Sequence, residues 1–162
     1  MTDGETATLA ESHTEMTELV LPNDTNTHGR ALGGAVLHWM DVCGAIAAMR
    51  FATSGVVTAA MDHVDFKSPI DLGEVVVVEA YIYDTGRTSI DVNVEVRAED
   101  PRTGDERDAT SSFFTFVAVD DDGEPTTVPD LACPTEGERR LRDAAVDDRA
   151  AQLERLVERM EG

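Results

Sequence analysis

Residues 33–50, GGAVLHWMDVCGAIAAMR, constrain the fold of this chain more than any other stretch. Two glycines open it and Arg50 closes it. Between them Val36, Leu37, Trp39, Met40, Cys43, Ile46, Ala47 and Met49 point in nearly every helical direction. A helix that is apolar all round belongs in an interior. The run is about five turns long, but His38 and Asp41 interrupt it, and a membrane span wants ~20 unbroken apolar residues. The expectation is a central helix wrapped by the rest of a soluble domain. Asp41 lies at its middle. A carboxylate on a buried helix is costly unless it is paired or used, so Asp41 is the first candidate functional residue.

The flanking sequence supplies the wrapping. Residues 1–8 are expected to fray. Thr14–Leu21 alternates loosely, as a half-buried strand does, and Pro22–Gly29 is a dense turn cluster leading to the glycine pair. Four strand-like runs follow the helix: Val56–Phe66, Gly73–Asp84, Thr88–Glu99 and Asp108–Asp120. Thr88–Glu99 alternates cleanly, with Ile90, Val92, Val94 and Val96 on one side. Turn sequences at Asp84–Arg87 and Asp100–Gly104 join successive runs, which gives an antiparallel sheet. A sheet with one apolar face and a wholly apolar helix are both satisfied if the sheet curls around the helix. The class is therefore α+β. Beyond Asp120 comes a turn, then an extended segment from Pro125 to Pro134. Thr135–Glu161 is charged and helix-prone. It opens on the S/T-x-x-E spacing of a capping box and carries a thin stripe of Leu141, Ala145, Val146, Leu153, Leu156, Val157 and Met160.

Length and composition set further bounds. A chain of 162 residues is most simply one domain with a sizeable core. The N-terminus is acidic and lacks the apolar region of a signal peptide. Two cysteines, Cys43 and Cys133, make no disulfide framework. A cytoplasmic enzyme is the expectation. There are 33 acidic residues against 13 basic ones, giving a net charge of −20, and Lys67 is the sole lysine. A nucleic-acid partner would need a basic face, and none is visible. The acid excess with almost no lysine resembles proteins of salt-loving organisms, in which high salt screens the repulsion between surface carboxylates.

Four stretches together resemble a known family: PNDTNTHGRALGGAVLHWMD, VTAAMDHVDFKSPI, ATSSFFTFVAVDDDGEPTTVPDL and CPTEGERR. In order, and from about Leu19 to Arg142, they are similar to the hot-dog-fold acyl-CoA thioesterases. The nearest group holds bacterial short-chain acyl-CoA hydrolases and each half of the animal brain-type enzyme. The resemblance implies a hot-dog domain over residues 1–134, a curved antiparallel sheet around a helix, with residues 135–162 as a charged helical extension. It implies acyl-CoA as substrate, no separate cofactor, no membrane partner, and a homodimer as minimal unit, tripled into a hexamer. Three site positions carry over. Asp41 matches the helix acid, Gly33 the helix-start glycine whose N–H faces the thioester oxygen, and Asn26 a polar amide. Some relatives place a serine or threonine about eighteen residues after the acid; that position is Ala59 here, with Thr58 beside it.

The chemistry suits these residues. A thioester needs a base or nucleophile and a donor for the developing oxyanion. Unpaired N–H groups at a helix start are aimed donors, aided by the helix dipole. Eight residues of α-helix rise about 12 Å. Asp41 therefore cannot reach a carbonyl held at its own Gly33, and two antiparallel helices from two subunits would bring the pair together. Candidates for substrate contact are His28 and Gly29 in the turn, Gly34 beside Gly33, Lys67 and Arg87 as cations for the CoA phosphates, and Ser111 and Ser112 along a strand. Asp62 is expected to have a structural or hydrogen-bonding role. No diagnostic metal-ligand spacing joins Asp24, His28, His38 and Asp41. Two other functions are open. A hot-dog hydratase or dehydratase uses D-x-N-x-x-H, and Asp24-x-Asn26-x-His28 is one residue short of it. A non-catalytic acyl-CoA binder would bind without turnover.

The charge excess generates a direct expectation. The thermal midpoint should climb as KCl is raised from low to molar concentration, because screening relieves carboxylate repulsion. A midpoint that stays flat over that range would remove the salt-adapted reading.

Overall fold

A computed structural model describes residues 5–161. In chain order the elements are β1 (Thr6–Thr8), α1 (Leu9–Ser12), β2 (Thr14–Leu19), a 3-10 turn (Pro22–Asp24), α2 (Gly33–Ala52), β3 (Gly55–Met61), β4 (Asp65–Phe66), β5 (Val75–Thr85), β6 (Ser89–Glu99), β7 (Glu106–Val119), β8 (Asp130–Ala132) and α3 (Glu136–Glu161). The main sheet is antiparallel in the order β2-β5-β6-β7-β3, and β4 pairs separately with β7. This is the hot-dog architecture, with α2 lying in the curl of the sheet.

Alternation produces the core. Val76, Val78, Ala80 and Ile82 of β5, Ile90, Val92 and Val94 of β6, and Phe114 and Phe116 of β7 share the inner face and are fully buried. Against them α2 lays Val36, Met40, Cys43, Ala47 and Phe51. The helix approaches closely because Gly44 lacks a side chain. A Cβ there would stand 3.1 Å from the Phe116 ring and 3.5 Å from Val94. Burial pushes the Cys43 thiol up to about 12, so this cysteine behaves as an apolar filler. Thr53 closes the helix in the left-handed conformation (φ 53°), its N–H donating to the Met49 carbonyl at 2.8 Å.

The outer face of the sheet carries a second, smaller core of Leu9, Tyr81, Tyr83, Phe113 and Ala145 under α1 and α3. Tyr83 and Phe113 meet edge to face with centroids 5.6 Å apart. The capping box forms: the Glu138 N–H donates to Thr135 Oγ1 at 3.1 Å, and the Thr135 N–H donates to Glu138 Oε1 at 3.3 Å. Glu138 Oε2 also accepts from the Ala10 N–H at 3.0 Å, tying α3 to α1.

Several expectations need correction. The helix runs to Ala52, and it is 20 residues long, apolar enough by composition to cross a membrane, with half of it buried in this domain. It is not covered all round. Gly34, His38 and Met49 are exposed, and Leu37, Asp41, Ala45 and Ile46 are only half-buried. The run from Val56 to Phe66 is two strands, because residues 62–64 leave the ladder. Thr6–Thr8 do not fray but pair in parallel with β8, itself inside the segment expected to be merely extended. Residues 1–4 lie outside the described residues. Finally, the apolar stripe of α3 is split: Ala145 is buried and Leu156 half-buried, whereas Leu141, Val146, Leu153, Val157 and Met160 are exposed. The sheet-facing side instead runs through Glu138, Arg142, Ala145, Arg149 and Gln152, at helical spacing.

Gly44 gives the sharpest test of this packing. Gly44→Val should destabilise the fold by about 1–3 kcal/mol, the usual cost of overpacking, while Gly137→Ala, with nothing within 4 Å of the added carbon, should be neutral or stabilising. Urea unfolding of both variants measures this. A neutral Gly44→Val would mean that helix and sheet are not in close contact there.

Candidate active site

The loop before α2 is built to present donors. The Leu32 N–H donates to the Asp24 carbonyl at 2.8 Å, and the Leu32 carbonyl accepts from Ala35 at 3.0 Å and Val36 at 3.2 Å. Nothing caps the first turn from a side chain, and among the described residues the Gly33 and Gly34 N–H groups have no acceptor. These are two of the orphan donors that every helix start leaves. Asn26 organises the turn. Its Oδ1 accepts from the His28 N–H at 2.9 Å and the Arg30 N–H at 3.2 Å. Its own N–H donates to the Arg30 carbonyl at 2.8 Å, and Gly29 takes φ 72° to close the loop. Two backbone donors thus fix the side-chain oxygen and leave the NH₂ end as the open donor.

Asn26, Arg30, Gly33, Val36, Phe66 and Ile70 line a cavity of about 370 Å³, within the range of small-molecule sites. A Cβ on Gly33 would stand 3.5 Å from the Phe66 ring, so the ring roofs the helix start. Asp41 is not part of this cavity. It lies eight residues along α2, and its Oδ1 accepts from Thr58 Oγ1 at 2.7 Å. Thr58 faces the helix because it shares the strand parity of Val56, which packs on the core; the register shifts immediately after it, between Thr58 and Ala60. Thr58, not Ala59, therefore carries the hydroxyl next to the acid.

The remaining candidates separate. His28 is exposed at the loop tip, where only its backbone N–H is engaged. Gly34 is open on all sides. Ser111 and Ser112 sit on opposite faces of β7. Ser112 is buried on the inner face and donates to the Asp62 carbonyl at 3.2 Å, whereas Ser111 lines a cavity of about 160 Å³ on the outer face with Lys67, Glu95, Asp108 and Asp148. Lys67 thus stands among carboxylates, away from Asn26 and Gly33. Arg87 lies in the β5–β6 turn, whereas the loop carrying Gly29–Ala31 bonds to residues 70–72, just before β5. The ten intervening steps of strand span roughly 30 Å. Asp62 is hydrogen-bonded, as expected, to Arg149. Among the cavity residues, Arg30 looks in the sequence like an ordinary turn cation, and alternation alone cannot place Phe66 over Gly33.

Known proteins give this arrangement a family. A Bacillus subtilis protein named as an uncharacterized acyl-CoA thioester hydrolase is 39% identical over 142 residues, covering 88% of this chain and 83% of the relative. The chain belongs to the thioesterase superfamily. The superfamily's own sequence model matches residues 28–104. An acyl-CoA thioester hydrolase of Escherichia coli strain K12 is 36% identical over 114 residues, 68% of this thioesterase-fold chain and 86% of the relative. Among solved structures, an apo hexameric acyl-CoA thioesterase superposes with TM-score 0.83 at 41% identity, over 94% of this chain and 97% of that one. The acyl-CoA hydrolase of Staphylococcus aureus, solved with butyryl-CoA and CoA, gives 0.81 at 33% identity over 96% and 95%. That hydrolase has also been solved with an asparagine, an aspartate or a threonine replaced by alanine, the aspartate 15 residues after the asparagine and 17 before the threonine. Asn26, Asp41 and Thr58 have the same spacing in this chain.

Proposed function

We propose that this protein hydrolyses acyl-CoA thioesters to a free acid and CoA, at a site shared between two subunits. One observation carries the reading: Asn26 and the unpaired Gly33 N–H share a cavity that the same chain's Asp41 does not line. A carbonyl bound in that cavity has its oxyanion donors from one subunit, and it needs its carboxylate from another.

The uncovered side of α2 supports the second copy. Met49 is 41% exposed there, and edge strand β3 beside it leaves Val57 51% and Met61 45% exposed. An exposed edge strand next to an apolar helix face is a surface that a folded protein normally covers. Two helices packed antiparallel bring the partner's Asp41 to the Gly33 cavity, twice per dimer by symmetry. The hexameric relative supports a trimer of such dimers.

In this site the Gly33 N–H and the Asn26 NH₂ donate to the thioester oxygen as negative charge develops on it; one such donor is typically worth ~10²–10³ in rate. Asp41, oriented by Thr58, takes a proton from water as the water adds to the carbonyl carbon, or attacks that carbon itself to give a mixed anhydride that water then opens. In either course the C–S bond breaks and the CoA sulfur leaves with its electron pair and is protonated. Arg30 is the cation that stands in the cavity, and it is the best placed to meet an anionic substrate. The hydratase reading has less support, because its acid is already engaged: Asp24 Oδ2 accepts from the Leu21 N–H at 3.0 Å.

Thiol release from a chain-length series of acyl-CoAs tests the function. The wild type should release CoA thiol. Asp41→Asn should lower kcat by at least ~10²-fold, the scale of general-base loss, and Thr58→Val by about 10-fold through loss of orientation. An inactive wild type across the series would overturn the reading, and near-normal turnover by Asp41→Asn would take Asp41 out of the mechanism.

A further inference from the structure

The catalytic reading leaves α3 unused, yet the polar side of that helix is aimed at the segment between the two parts that this subunit would contribute, one to each of the two shared sites. We propose that α3 is a strap that positions the substrate cavity, with Arg149 and Gln152 as its positioning residues; this rests on the thioesterase reading above.

The segment is Asp62–Val64, which breaks the expected long strand into β3 and β4. Upstream lies Thr58, the partner of Asp41. Downstream lies Phe66, the roof of the Gly33 cavity. The two sides differ in how firmly they are held. β3 is laddered to β7 from Gly55 to Met61. β4 is two residues long, with Asp65 opposite Ser111 and Phe66 opposite Thr110. That short ladder is supplemented by the Asp62, Lys67 and Ser68 N–H groups, which donate to Phe113 and Ala109, and by the Ser112 and Thr110 hydroxyls, which donate to the Asp62 and Asp65 carbonyls; the Phe66 side chain itself is 49% exposed.

The helix adds a side-chain restraint of its own. Arg149 Nε donates to Asp62 Oδ2 at 2.9 Å. One turn on, Gln152 Nε2 donates to the His63 carbonyl at 2.8 Å. His63 Nε2 is 2.8 Å from Asp65 Oδ1, and Arg159 reaches both residues, at 3.4 Å and 4.0 Å. Gln152 is only 9% exposed, and its Oε1 is buried without a partner among the described residues. A buried amide with one end unsatisfied is a poor way to gain stability alone. It does fix the register of helix against linker, which an apolar contact would leave free to slide. The charge pattern agrees. Arg149, Arg155 and Arg159 put three of the few cations of a strongly acidic chain beside a linker that offers Asp62 and Asp65.

Loosening the strap should move Phe66 more than Thr58, so substrate affinity should suffer before chemistry does. Arg149→Ala is expected to raise KM for acyl-CoA about 5-fold or more with kcat within about 2-fold, and Arg149→Lys to recover part of the loss. In a Phe66→Ala background the same substitution should add little, since both act on one wall. Hydrogen exchange of the Asp62 and Lys67 amides, which donate to Phe113 and Ala109, should speed up in Arg149→Ala while β6 stays protected. A merely structural role would lower the folded, active fraction: kcat falls, KM stays, and the exchange change spreads over the sheet. That outcome overturns the proposal. If Arg149→Ala does not fold, Gln152→Leu takes the same measurements and must show the same KM shift. A wild type inactive on every acyl-CoA would sink the thioesterase reading alone, because the exchange experiment still decides whether α3 holds residues 62–67.

Discussion

A twenty-residue apolar helix with a carboxylate in its middle has to be covered on every side, and this chain covers it on one. The sheet takes Val36, Met40, Cys43, Ala47 and Phe51. The opposite side keeps Leu37, Ala45, Ile46 and Met49 at least partly open, and Asp41 stands among them, hydrogen-bonded to Thr58. Burial of that face by a second copy removes apolar surface from water at roughly 25 cal/mol per Å². The same burial would desolvate Asp41, which strengthens a carboxylate as base or nucleophile only where a reacting group waits beside it. In the proposed dimer, the cavity at the partner's helix start would supply that group. Helix length connects these facts: it separates Asp41 from the Gly33 N–H within one chain, and on the proposed reading it thereby couples assembly to chemistry.

The inner half of the fold was legible in the sequence because it is built from periodicity. The strand-like runs Gly73–Asp84, Thr88–Glu99 and Asp108–Asp120 and the all-round apolar run from Gly33 are local patterns, and the structure follows them to within a few residues. The outer half is built from contacts that leave no such pattern. α3 is held by the backbone carbonyls of Tyr83 and His63, by the Asp62 carboxylate and by the Ala10 N–H, through Arg142, Gln152, Arg149 and Glu138. A search for apolar stripes finds only Ala145 of that sheet-facing side. β1 and β8 are three residues each, too short for alternation to mark.

The site was legible in part for the same reason. Asp41 stands out as the acid on an apolar helix, and the glycine pair marks the helix start. The dual use of Asn26, whose oxygen ties the turn while its NH₂ stays open, needs the folded loop. So does the choice of Thr58 over Ala59, which strand parity and the register shift after it decide. Phe66 reaches Gly33 only because the chain leaves the sheet at 62–64. Lys67, Arg87 and Ser111 were chosen by residue type, and type says nothing about which end or face of a sheet they occupy.

Complementation between two inactive subunits tests the shared site most directly. Asp41→Ala removes the acid. Asn26→Asp keeps the oxygen that the loop requires and removes the NH₂ donor. A mixed dimer holds one site with both lesions and one with neither. With complete exchange and random pairing, half the dimers are mixed, so activity should return to about a quarter of wild type if sites act independently. Mass-tagging one variant shows that exchange has occurred. Complete exchange with no recovered thiol release would place Asp41 and Asn26 in the same subunit's site and contradict the account.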